Sequence, residues 1–169
     1  TPTLETYYQE LSTDPYTVGL WHMNDASGNA LDSSINANTL TNTAATVDTT
    51  TQLLGSAARV FSGGSQYLIN SALSPTTPGD LTIQLWFKTS TLPGVADRIF
   101  DLAQSAAIGL QLYISTTGLI GIDNSGGPTS AIQSVGSYAD GRWHHAAITR
   151  LGTTYTLYLD GSLIATTTG

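Results

Sequence analysis

The 169-residue sequence has no cysteine, one lysine and two glutamates. Without cysteine there is no disulfide scaffold and no thiolate metal site. The missing thiols leave the redox compartment open. The cations are Lys88, Arg59, Arg98, Arg142 and Arg150, scattered through a chain of net charge −7 and pI near 4.4. Phosphate recognition needs clustered Lys and Arg, so nucleic acid is excluded as a partner and an anionic membrane surface is disfavoured. No apolar run approaches the roughly 20 residues that cross a bilayer, so no membrane insertion is expected. The glycine-rich phosphate loops, the G-x-S-x-G elbow and the H-E-x-x-H helix are all missing. The chain starts at Thr1 with no signal-like segment, and is read as a processed form or a fragment.

What is present is β sequence. Hydrophobic residues make up 40% and mean hydropathy is +0.02, as in a globular domain. Short runs rich in β-branched and aromatic residues recur at 16–23, 58–62, 81–88, 98–103, 108–115, 119–123, 143–150, 154–160 and 162–166. Clusters such as "NDASGN", "SGGSQ" and "NSGGPTS" separate them. This spacing predicts an antiparallel sandwich or barrel. A helix is a candidate only at 4–12, where Leu4, Tyr7, Tyr8 and Leu11 fall at helical spacing; an extended lead-in is the alternative. The Thr-rich stretch 41–52 reads as a loop or a weak edge strand. No repeat or domain boundary is visible. "YLDGSLIAT" is the clearest hairpin, because Asp160-Gly161 accepts positive φ at a tight turn. Tyr155, Leu157 and Leu159 then share one face.

Two adjacent histidines in "GRWHHAAITR" raise the question of a metal or catalytic pair. In a strand, neighbours point to opposite faces, so His144 and His145 cannot clasp one ion. One imidazole is expected in or near the core, hydrogen-bonded, and the other on the outer side. His22, beside Trp21, is likewise read as a strand residue.

Five separated pieces, "VGLWHMNDASGNALDSSINANTLT" (18–41), "ARVFSGGSQYLI" (58–69), "LTIQLWFKTS" (81–90), "DGRWHHAAITR" (140–150) and "YTLYLDGSLIAT" (155–166), resemble the laminin G-like jelly roll in order and spacing. That group lies within the concanavalin A-like lectin and glucanase superfamily. The resemblance implies an all-β, two-sheet antiparallel jelly-roll sandwich over 18–169, preceded by a lead-in segment at 1–17. It also implies further strands after the "YLDG" hairpin. The chain stops at Gly169, so the domain is expected to be C-terminally incomplete, or to be completed by a strand from a neighbour at an open sheet edge.

The superfamily's glucanases use paired carboxylates, usually in an E-x-D-x-x-E arrangement, because one group protonates the leaving oxygen while the other attacks or activates water. Here Glu5 and Glu10 both precede the jelly-roll pieces, and the one close pair of aspartates, Asp97 and Asp101, is four apart and could share a face. The expectation is therefore no enzyme and no catalytic residue. Family members often hold calcium between the loop at 24–38 and a later acidic segment. Asp32 and Asn36 match the loop positions, with Asp25 where an acid is usual, so these three are the candidate calcium ligands; the acidic segment does not occur in this sequence. Turn and capping chemistry is the alternative for the same residues. A glycan platform would draw on Tyr67, Tyr113, Tyr138 or Trp143, with Asp123 and Asn124 nearby; Trp86 and Trp143 are read as structural. The expected function is a non-catalytic extracellular adhesion module recognising glycan or a surface protein, at a cell or virion surface. The alternative is a structural subunit of a filament, phage tail or capsid that self-associates through a sheet edge, and a glucanase stands third.

Overall fold

The computed structural model describes residues 10–73, 79–105, 108–125 and 132–168. Among these residues there is no helix, and twelve strands run in order: β1 Thr41–Thr43, β2 Thr46–Asp48, β3 Ala58–Val60, β4 Tyr67–Ile69, β5 Leu81–Lys88, β6 Asp97–Ser105, β7 Ile108–Ile114, β8 Ile120–Ser125, β9 Ile132–Gln133, β10 Trp143–Leu151, β11 Thr154–Leu159 and β12 Ser162–Thr168. Eight of the nine expected strands are therefore present, and most of the helix candidate at 4–12 lies outside the described residues. The chain divides into two compact units, Thr1–Leu73 and Ser74–Gly169.

The second unit is a sandwich of two antiparallel four-stranded sheets, ordered β12-β11-β10-β5 and β6-β7-β8-β9. Period-two alternation sets what lies between them. In β10, Ala146 and Ile148 point inward and pair across the sheet with Leu85 and Ile83 of β5 and with Leu159 and Leu157 of β11. From the other sheet come Leu110, Leu112 and Ile114 of β7 and Ile120 and Ile122 of β8. Leu112, Ile120, Ile148, Leu157 and Leu159 are less than 2% exposed. Each such side chain contributes about 1.5–3 kcal/mol relative to an exposed one. All four interior strands, β7, β8, β10 and β11, are paired on both sides.

The β11–β12 hairpin forms as its sequence requires. Leu159 pairs with Ser162, leaving a two-residue turn in which Asp160 and Gly161 have φ of 49° and 78°. Positive φ at both positions is the type I′ turn that matches strand twist.

In the first unit, β1 pairs with β4 and β2 with β3. The stretch 41–52, read as a loop or weak edge strand, supplies β1 and β2. The run at 16–23 forms no strand. Its backbone is bonded instead by the loop that follows: Leu20 donates to Asp32 Oδ1, Ser33 donates to the Leu20 carbonyl, and the Val18 carbonyl accepts from Asn36, Asn38 and Ser34 side chains. Met23 at φ 62° then breaks the extended path. A strand-like pattern was satisfied here by side chains in place of a neighbouring strand.

Gly161→Ala places a Cβ at positive φ with no neighbour to clash, so the penalty is purely conformational. Urea denaturation is expected to show a loss of about 1–2 kcal/mol; an unchanged midpoint would contradict the turn geometry.

Candidate functional site

The two histidines separate as the strand period demands. His144, on the inner face of β10, is 9% exposed. Its Nδ1 lies 2.8 Å from Asp160 Oδ2 and its Nε2 lies 2.9 Å from Asp140 Oδ1. The Tyr138 ring meets it edge-on at 4.8 Å, and Phe87 lies 5.8 Å away. Asp160 also accepts the His145 amide through Oδ1, and its own amide donates to the His145 carbonyl. One hairpin aspartate thus fastens the β11–β12 turn to both histidines of β10. His145 is on the outer face, its ring 5.0 Å from that of Trp86.

With a carboxylate on each ring nitrogen, both nitrogens of His144 donate, and the ring is held as an imidazolium. Burial alone would lower its pKa, but the hydrogen bonds and charges of Asp160 and Asp140 outweigh it, and the net shift is upward from 6.5. Asp140 is held below its usual 3.8, first by its bond to His144 and then by the Arg142 amide. Burial holds His145 below 6.5, against the charge of Asp160. This cluster fastens the β11–β12 turn and the Asp140 turn to β10. Sequence reasoning placed Asp140 and Asp160 only in turns. The available signal was the i−4 spacing of Asp140 to His144.

A different arrangement occupies the outer face of the β6-β7-β8-β9 sheet. Directly opposed residues in a ladder share a face. Gln111 of β7 opposes Asp101 of β6 and Asp123 of β8, while Tyr113 opposes Arg98 and Gly121. Gly121 in turn opposes Gln133 of β9. The Tyr113 ring is seated on Gly121, where an added Cβ would come within 2.5 Å of the phenol carbon and oxygen. Tyr113 Oη reaches Gln133 Oε1 at 3.5 Å, Gln111 Nε2 donates to Asp101 Oδ2 at 3.4 Å, and Arg98 Nε lies 3.3 Å from the same carboxylate. Burial, and then the charge of Asp123, raise the Tyr113 pKa above 10.0, so the phenol stays protonated. The result is one aromatic ring on the face that also carries Arg98, Asp101, Asp123 and Gln133, with Gln111 buried among them.

Of the suggested platform residues, Tyr113 and Asp123 come together on this face. Tyr138 packs on His144, Tyr67 is an exposed residue of β4, and Trp143 is half-buried on the outer face of the other sheet. The side chain of Asn124 lies outside the described residues. Arg98, Gln111 and Gln133 were missed, because only the register brings them to Tyr113.

The pairing of Asp97 with Asp101 is corrected by the structure. A bulge sits between Arg98, opposite Tyr113, and Phe100, opposite Leu112, with Ile99 as the extra residue. The parity of the strand is inverted there. Asp97 lies on the face of Ile114 and Asp101 on that of Gln111, so the two carboxylates are on opposite sides of the sheet.

Of the candidate calcium ligands, Asp25 and Asp32 accept from protein donors, while Asn36 donates to protein carbonyls. Asp32 accepts four hydrogen bonds, from the amides of Leu20, Ser34 and Asn38 and from Ser34 Oγ. Despite partial burial, these bonds hold its pKa below 3.8. Asn36 Nδ2 donates to the Thr17 and Val18 carbonyls. Asp25 Oδ2 accepts the Leu31 amide and faces Arg59. Among the described residues no three acidic or histidine side chains form a group able to hold a metal. These residues therefore do not fit a resident calcium.

The second unit, whose two four-stranded sheets enclose one apolar core, is a β-sandwich with polar residues on an outer face. Residues 61–169 match the laminin G family described as the concanavalin A-like lectin/glucanases superfamily, and the chain belongs to that superfamily. Among curated proteins, none matches. A crystal structure of an S-layer domain-containing protein (residues 221–444) from Clostridium thermocellum is similar, at 22% identity and TM-score 0.57, over 88% of this chain and 71% of that one.

The fastening at His144 has a pH signature. His144, with its raised pKa, contributes stability that is complete below 6.5 and lost as pH rises through its folded value. Asp140 contributes stability present above 3.8 and lost as pH falls through its depressed value. His145 acts in the opposite sense, losing stability as pH falls below 6.5. The difference in unfolding free energy between the wild type and His144→Phe cancels the His145 contribution. It is expected to be larger near pH 5 than near pH 9; a pH-independent difference would show that no imidazolium is held.

Proposed function

We propose that this chain is a non-catalytic, surface-associated binding module that recognises glycan on the outer face of the β6-β7-β8-β9 sheet. The supporting observation is the Tyr113 ring seated on Gly121 beside Arg98, Asp101, Gln111, Asp123 and Gln133. A sugar presents an apolar C–H face and a rim of hydroxyls that both donate and accept. An aromatic plate among convergent polar groups matches both features. Membership of a superfamily that includes lectins, and a structural neighbour with an S-layer domain, support the placement at an extracellular surface. A non-catalytic role is supported by the bulge at Ile99, which denies Asp97 and Asp101 a common bond to act on, and by the attachment of Asp101 to Arg98 and Gln111.

A second reading is a structural subunit of a surface array, favoured by the same S-layer neighbour and by the edge strand β12 with Leu163 exposed. A glycan array with the 169-residue chain tests the first reading. Tyr113→Ala is expected to retain the folded state and to weaken glycan binding by about tenfold or more. Binding unaffected by that substitution would move the site elsewhere. Silence on the array, together with concentration-dependent assembly in light scattering, would favour the array subunit. Release of reducing sugar from β-glucans, abolished at Asp101, would overturn the non-catalytic reading.

A further inference from the structure

The loop at 24–31 is organised by a cation that belongs to the chain. Arg59, on β3, sends its guanidinium back across about thirty residues of sequence. Nη1 donates to the Gly28 carbonyl at 2.9 Å and Nη2 to the Asn29 carbonyl at 3.0 Å, while Nη2 lies 3.6 Å from Asp25 Oδ2. The same Asp25 oxygen accepts the Leu31 amide, so the carboxylate ties the two ends of the loop together. The arginine side chain is 2% exposed, and its Nε is buried with no hydrogen-bond partner.

A buried guanidinium with one donor unsatisfied is costly unless its charge and remaining donors are matched, and removing either partner of such a pair strands the other. Here its surroundings are one carboxylate and two consecutive carbonyls, the oxygen types that a hard divalent cation would select. Calcium would need about six to eight oxygens in contact, and the guanidinium already stands among those the loop offers. Asp32 and Asn36, the remaining candidates for such a site, are saturated by amides or turned donor-first toward carbonyls.

We infer that Arg59 is the resident cation of the Asp25–Leu31 loop, holding by a guanidinium what a calcium ion would hold, so that the module folds independently of metal. This inference does not rest on the glycan reading, since every residue involved lies in the first unit. It means that this loop keeps its fold in calcium-poor surroundings and in the presence of chelators.

The test uses the full 169-residue chain. Unfolding midpoints of the wild type are measured in EDTA and in millimolar calcium, and are expected to coincide. A calcium ion bound only to the folded state, at 100 times its Kd, would strengthen folding about 100-fold; such a shift in the wild type would overturn the inference. Arg59→Met removes the charge at similar length and is expected to raise the unfolding constant on the order of 100-fold or more, with faster amide exchange at Leu31. Adding Asp25→Asn to that variant is expected to recover part of the loss, because the stranded carboxylate is then neutral. Arg59→Met with wild-type stability, or no recovery in the double variant, would show that the guanidinium only fills space. If Arg59→Met does not fold, the wild-type comparison with and without calcium and the exchange rate of Leu31 in Asp25→Asn decide the matter: an unprotected Leu31 there supports the inference, and an unchanged one overturns it.

Discussion

Two inner sheet faces meet through Leu112, Ile120, Ile148, Leu157 and Leu159, and strand alternation carries that contact to both outer surfaces. Because Leu112 must point inward, Gln111 and Tyr113 must point outward, and they bring Asp101, Asp123, Gly121 and Arg98 with them through the register. Because Ala146 and Ile148 point inward, His144 does too, and a polar ring arrives at the margin of an apolar core. Such a ring is tolerated only if its nitrogens are satisfied. Asp140 and Asp160 do so from two turns. The polar face and the histidine fastening are therefore consequences of one packing decision.

A chain with twelve acidic residues and five Lys and Arg cannot pair its charges one for one. Its aspartates are instead neutralised locally by amides and hydroxyls. Asp32 takes three amides and a hydroxyl, Asp14 takes Thr17 Oγ1 and the Tyr16 amide, and Asp48 takes Thr50 and Thr51. Each of the three is held below the ordinary carboxylate range by those bonds. The four arginines then act singly. Arg59 closes a loop, Arg98 and Arg142 each face an aspartate, and Arg150 lies 5.4 Å over the Tyr155 ring while bonding the Gly152 carbonyl. The abundant Ser, Thr and Asn of the sequence are the counterpart of this scheme, supplying hydroxyl and amide donors where lysines are few.

What the sequence disclosed was local. Asp160-Gly161 announced its turn, the period of "WHHAAITR" sent the two histidines to opposite faces, and "LTIQLWFK" coincides with β5. What it concealed depends on partners distant along the chain. The run at 16–23 carries a strand pattern, yet its amide and carbonyl groups are claimed by Asp32, Asn36 and Asn38, which no period reveals. Arg59 reads as an isolated charge until Gly28 and Asn29 are folded beneath it. The oxygen-rich loop at 24–38 raised an expectation of calcium from residue type and from the family resemblance, and neither says whether an oxygen is already in use.

The placement of the two close aspartates of β6 turns on a similarly small feature. In an unbroken β6, Asp97 and Asp101, four residues apart, would stand on one face. Ile99 is a single extra residue in the ladder, and because the side-chain period is two, one residue is enough to reverse the face of everything beyond it. The bulge directs Asp97 toward the side of Ile114 and leaves Asp101 beside Gln111, where it accepts a hydrogen bond and meets Arg98. It also lets Ile99 and Phe100 both pack against the core, so the inversion is stabilised by burial on the inner side. Superfamily membership alone therefore does not decide between binding and catalysis, and the register of single residues such as these bears on it.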